Sequence, residues 1–209
     1  MSDFTLAQLL SLLSFCTVMS FTPGPNTMLS SALAANYGLR RSMPFLLAVP
    51  VGWLLLLIAC VAGLGQLVKA SVWLGAAIKY GGIAYMLYLA WRLASTTNIA
   101  TTIADRTEDA RTKPPVSFVQ GVAFQFVNIK AWVGAMTITS TWITSAPDVL
   151  QRSVMLMPIF MAYALASNLV YAFIGSSLRA WLLVGKRLRV FNLLLAAALA
   201  LTCVWMLFL

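Results

Sequence analysis

Six stretches of the chain run nearly free of charge, and the polar residues gather between these stretches instead of alternating within them. They cover about 5–34, 43–67, 71–93, 117–142, 153–178 and 189–209. Each is long enough to cross the roughly 30 Å hydrocarbon core of a bilayer as a helix, which takes about 20 residues. A barrel strand would need strict alternation of apolar and polar positions, and the continuous apolarity excludes it. The pattern predicts an all-α polytopic membrane protein with six transmembrane helices, forming a single membrane domain over residues 1–209. One long hydrophilic segment, 95–116, carries Asp105, Arg106, Glu108, Asp109, Arg111 and Lys113 and ends in Pro114-Pro115. It is expected to be a surface linker between a first three-helix half, 1–94, and a second, 117–209. If the halves are homologous, their odd helix number forces opposite orientations, which gives a 3+3 inverted repeat with its site at the midplane. Direct self-similarity is faint, limited to Asn26 and Asn128 at similar depths of the first and fourth runs.

Composition agrees with lipid as the solvent. Hydrophobic residues make up 61% of the 209 and charged residues 9%, with a mean hydropathy of +0.90. An average chain is about 25% charged, and a soluble domain of this length cannot bury so much apolar surface. The N-terminus carries Asp3 in place of a basic region, and its apolar run outlasts a signal peptide's, so it reads as a first span that stays.

The net charge of +9 changes the picture only through its placement. Arg40, Arg41, Arg92, Arg106, Arg111, Lys113, Arg179, Lys186, Arg187 and Arg189 fall in the first, third and fifth loops, against Lys69 and Arg152 on the other side. This bias predicts that loops one, three and five are cytoplasmic and both termini lie outside. No basic stripe with interleaved aromatics supports nucleic-acid binding. The chain lacks histidine, and Cys16, Cys60 and Cys203 stand far apart inside apolar runs, so neither a metal site nor a redox or other cofactor is expected.

Candidate chemistry lies where polar residues puncture the runs. Pro23-Gly24-Pro25 interrupts the first run: two prolines remove backbone donors, and freed carbonyls are tolerated in a membrane only inside protein or along a cavity. The new helix N-terminus near Asn26 would attract an anion such as a carboxylate; the alternative is a kink that only shapes the bundle. In the fourth run, Gln125, Asn128 and Lys130 stand among apolar residues beside Gln120. An ammonium near the bilayer centre must find a cavity or counter-charge, and no Asp or Glu lies inside any of the six runs, which leaves room for a substrate carboxylate. Snorkelling to an interface or a neutral lysine are the competing readings. Secondary candidates are Lys79 and Tyr85 in the third run, where Gly81-Gly82 suits close helix approach, and Tyr163 and Asn168 beside Ser167 in the fifth.

These residues together resemble the lysine exporter / homoserine-threonine resistance family of translocators, over nearly the whole chain. The resemblance rests on Pro23-Gly24-Pro25-Asn26, on Gly38-Leu39-Arg40-Arg41, on Lys79, Gly82 and Tyr85, and on Asn128-Ile129-Lys130-Ala131. Ile129 stands where the family usually has proline, which predicts a less sharply broken fourth helix. The resemblance implies efflux of amino acids or derivatives across a bacterial cytoplasmic (inner) membrane, driven by the proton gradient as an antiport, and no enzymatic activity. With no carboxylate inside the spans, a neutral substrate is favoured over lysine or arginine. Asn26, Gln125, Asn128 and Lys130 are the expected substrate contacts, with Pro23, Gly24 and Pro25 as the gating break. A channel and a non-transporting structural subunit are the rival readings.

Overall fold

Two polar punctures of the sequence, at Pro23-Gly24 and at Asn128, become helix boundaries in the structure, a computed structural model that describes residues 5–95, 116–145 and 147–208. The linker residues Asp105, Arg106, Glu108, Asp109, Arg111 and Lys113, and Asp3, lie outside the described residues. Nine α-helices are described: α1 Leu6–Phe21, α2 Pro25–Tyr37, α3 Leu39–Val61, α4 Leu64–Ala70, α5 Val72–Ala94, α6 Phe118–Val127, α7 Ile129–Ile138, α8 Val149–Leu182 and α9 Arg187–Leu207. A five-residue π-helical turn, Thr139–Ile143, extends α7.

Four helices, α3, α5, α8 and α9, are each long and apolar enough to cross a membrane, and α1 with α2, bent by 48° at the Pro23-Gly24 break, is so as a pair. The fourth apolar run of the sequence is divided between α6 and α7. The protein is a multi-pass membrane protein. Helix α8 is about 51 Å long at 1.5 Å per residue, well beyond the bilayer core. Arg152, expected in an outer loop, is instead buried in the first turn of α8. Its Nη1 donates to the Trp142 carbonyl (3.2 Å) and its Nε lies 3.5 Å from Asp148, which ties α8 to the π-helical turn.

The fourth run is interrupted at Asn128 although Ile129 stands where the family usually has proline. Asn128 leaves helical geometry (φ −88°, ψ 100°), and its Oδ1 accepts from the Lys130 amide at 3.2 Å, so an asparagine cap starts α7 without any proline. The Trp132 indole donates back to the Phe126 carbonyl (2.8 Å), satisfying an acceptor that the break would otherwise strand. The cap and the indole thus serve the break without a proline.

Helix α2 is the centre of the bundle, with ten of its thirteen residues buried, whereas α1 buries only Leu12 and Cys16. It packs most extensively on α8, and α3 on α6 and α5 on α9 form the other large interfaces. Small residues permit these approaches. A Cβ on Gly175 of α8 would collide with the Ser31 carbonyl of α2, and one on Gly82 of α5 with the Val127 carbonyl at the α6–α7 break. A Cβ on Gly81 would meet nothing within 4 Å, so of the glycine pair only Gly82 serves close approach. One apolar cluster joins α2, the first half of α3, α5 and α9; a second joins α1, the rest of α3, α7 and the start of α8.

Candidate functional site

The two breaks meet. Pro25 cannot donate to the Phe21 carbonyl, and the phenol of Tyr171 on α8 does so instead at 2.9 Å. The Thr22 carbonyl, next in line, accepts from Lys130 Nζ at 2.6 Å. Lys130 thereby crosses from the second break to the first, and its side chain lies so close to Gly24 that an added Cβ would sit 2.9 Å from Cδ and 3.1 Å from Nζ. Gly24 is extended (φ −166°), so it is the contact with Lys130, and not backbone strain, that calls for glycine here.

Helix α2 begins within this junction. Thr27 Oγ1 accepts from the Gly24 amide at 2.9 Å, and Met28 N–H bonds the Gly24 carbonyl at 2.9 Å. Asn26 and Thr27 stand in the first turn of α2, where the helix offers their amides no acceptor. Two backbone donors at a positive helix end and one ammonium therefore converge on the same place, an arrangement suited to an anion.

A cavity of about 70 Å³, room for several waters, opens at this junction. Gly24, Pro25, Asn26 and Thr27 from the first break line it, with Asn128 and Lys130 from the second, and Tyr163, Ser167 and Asn168 from α8. None of its described lining residues is acidic. Among the described residues no group of three or more Cys, Asp or Glu is placed to hold a metal ion.

The expected site residues thus divide. Asn26, Asn128 and Lys130 reach the cavity together, though the Asn128 oxygen is already engaged as the α7 cap. Gln125 is fully buried behind the cavity wall, where its amide exchanges two hydrogen bonds with Asn26 (2.8 and 3.1 Å) and donates to the Gly121 carbonyl. It orients Asn26 and does not line the cavity. Tyr163 accepts from Thr17 of α1 at 3.3 Å, and Asn168 accepts from Ser30 of α2 at 2.7 Å. Lys79 and Tyr85 lie elsewhere: Lys79 donates to the Leu207 carbonyl at the end of α9 (2.9 Å), and Tyr85 packs on Phe124. The sequence reading missed Phe15, Met19, Trp53 and Phe160, which complete the wall. Their only sequence signal is large side chains inside apolar runs, which any core residue shares.

Known proteins match over most of this length. The LysE type translocator family matches residues 17–208. A cysteine/O-acetylserine efflux protein of Klebsiella pneumoniae is 30% identical over 191 residues, covering 90% of each chain. A protein of the same name from Escherichia coli (strain K12) is 27% identical over 165 residues, 78% of this chain and 79% of its own. No solved structure matches. The broken first helix, Lys130 on its freed carbonyl and the near full-length family match agree with the resemblance carried by the sequence motifs, and the chain belongs to the LysE type translocator family.

Proposed function

We propose that this translocator exports small neutral amino acids, of the cysteine and O-acetylserine kind named for its relatives, across the bacterial cytoplasmic membrane. The observation that carries the reading is the seat of Lys130 Nζ on the Thr22 carbonyl, beside the cavity where α2 begins and which Lys130 itself lines. A carboxylate entering there displaces a neutral carbonyl as partner of the ammonium and accepts from the amides of Asn26 and Thr27, gaining charge-assisted hydrogen bonds. Asn26, held by Gln125, adds a side-chain amide. A dibasic substrate would bring a second cation to a wall without acids, which favours neutral ones.

The mechanism is alternating access. With loops one, three and five in the cytoplasm and the termini outside, the lining residues Phe15, Trp53, Ile138 and Phe160 lie on the outer side of the breaks. The inner side is closed by Ser30 against Asn168, by Gly175 against Ser31, and by a reciprocal amide pair, Asn36 with Asn192 at 2.8 and 3.0 Å. Rocking of one three-span half against the other as an inverted repeat opens these contacts and seals the outer ones, with Pro23-Gly24-Pro25 as the hinge. Proton antiport drives the cycle.

Cells overproducing the chain should accumulate cysteine or O-acetylserine in the medium, and a protonophore should abolish the accumulation. Lys130→Ala, inserted at wild-type level, should lose export. Export at the wild-type rate by that variant overturns the assigned site.

A further inference from the structure

The cavity has a second end, and it is aromatic. Phe15 of α1, Trp53 of α3, and Phe160 and Tyr163 of α8 line the same space that receives Lys130. Trp53 and Phe160 meet edge to face with centroids 5.7 Å apart. The Trp53 ring lies against α7 at Gly134, one turn past Lys130, where its Cζ2 would be 3.7 Å from an added Cβ. The Trp53 ring therefore lies one turn beyond the ammonium along α7, with Phe160 against it. The Tyr163 ring is held in place by Thr17, which donates to its hydroxyl.

We infer that Phe15, Trp53, Phe160 and Tyr163 form a cage for the α-ammonium of the transported amino acid. The inference rests on the efflux reading above and completes it. A zwitterion that gives its carboxylate to Lys130 carries a cation a few bonds away, and that cation loses water in a narrow cavity. No acidic side chain lines the described wall to receive it. Ring faces carry negative potential, attract a desolvated ammonium, and do so most strongly for tryptophan. An edge-to-face pair leaves ring faces that its own members do not cover. The cavity is thus polarised, an ammonium and helix amides at one end and π faces at the other, and the substrate's own dipole sets its orientation. Such a wall also selects for the zwitterion: an N-acylated analogue has no cation to offer it.

The test uses the full chain in proteoliposomes, with labelled cysteine or serine as the probe and the half-saturating concentration as the readout. Tryptophan is replaced biosynthetically by its mono-, di- and trifluoro analogues, which keep the ring shape while weakening its π face. The cage predicts a stepwise rise of about ten-fold across the series. The chain has seven tryptophans, so the series is repeated in Trp53→Phe, where the dependence should vanish. N-acetylserine should not compete for transport. A half-saturating concentration that stays flat or falls with fluorination marks the rings as an apolar wall and overturns the cage, while leaving the efflux reading intact. If the wild-type chain transports no amino acid at all, both fall.

Discussion

Gly24→Ala separates the placement of Lys130 from the stability of the bundle. Gly24 has an extended backbone that alanine adopts without strain, so the substitution acts only through its methyl group. That methyl would lie 2.9 Å from Lys130 Cδ and 3.1 Å from Nζ. Restoring an ordinary carbon–carbon contact of about 3.5–4.0 Å requires the lysine to retreat by roughly 0.6 Å or more. Its far end is flexible, so the retreat costs the fold little, less than the roughly 1–3 kcal/mol of overpacking in a rigid core. The ammonium, however, starts 2.6 Å from the Thr22 carbonyl, and a shift of that size loosens this bond and moves the charge away from the α2 amides. A carboxylate seated on the α2 amides then meets the displaced ammonium at poorer geometry; hydrogen bonds to charged groups contribute about 1.5–3 kcal/mol, and losing half of the lysine–carboxylate bond lowers the affinity by about three- to ten-fold. The assay is the half-saturating concentration for cysteine in proteoliposomes, beside the thermal midpoint of the detergent-solubilised protein. Unchanged transport refutes the reasoning that the position of Lys130 matters. A variant that cannot be extracted folded shows that Gly24 serves packing alone.

The other glycine test makes the opposite prediction. Gly82→Ala drives a Cβ into the Val127 carbonyl, which is backbone and cannot retreat, and should destabilise by about 1–3 kcal/mol, read as a lower thermal midpoint. Trp132→Phe keeps a ring but leaves the Phe126 carbonyl without its indole donor. A loss of about 1–3 kcal/mol is expected in the same melt, and an unchanged midpoint would show that the carbonyl finds another partner.

The spans were legible because lipid imposes a simple rule, and Pro23-Gly24-Pro25 was legible because proline acts through covalent geometry. Lys130 stood out because a lone cation in an apolar run needs a partner. The pattern could not tell that Gln125, equally polar and five residues earlier, would face away and spend its amide on Asn26. Five residues apart, the two would point about 140° apart even on a continuous helix, and the break at Asn128 lies between them. Lys79 finds its partner elsewhere, since a cation near a span's end can also cap a neighbouring helix, which it does at Leu207. The aromatic wall was invisible because Trp53 and Phe160 are indistinguishable from core residues until α3 and α8 are brought together.

The second break shows why a missing proline is a weak argument against a broken helix. Proline removes one donor and disfavours helical geometry before it, but what holds a break open in lipid is the supply of partners for the groups it frees. Here Asn128 supplies an acceptor for the Lys130 amide and Trp132 a donor for the Phe126 carbonyl, both within four residues of the break. The first break is settled differently, through partners from other helices: Tyr171 for Phe21 and Lys130 for Thr22. That difference bears on transport. A break satisfied within its own segment moves as a unit, whereas one satisfied by α7 and α8 must exchange partners whenever those helices shift against α1. The Thr22–Lys130 bond is the tie that a substrate carboxylate would compete for, so binding at the cavity and loosening of the first break become the same event.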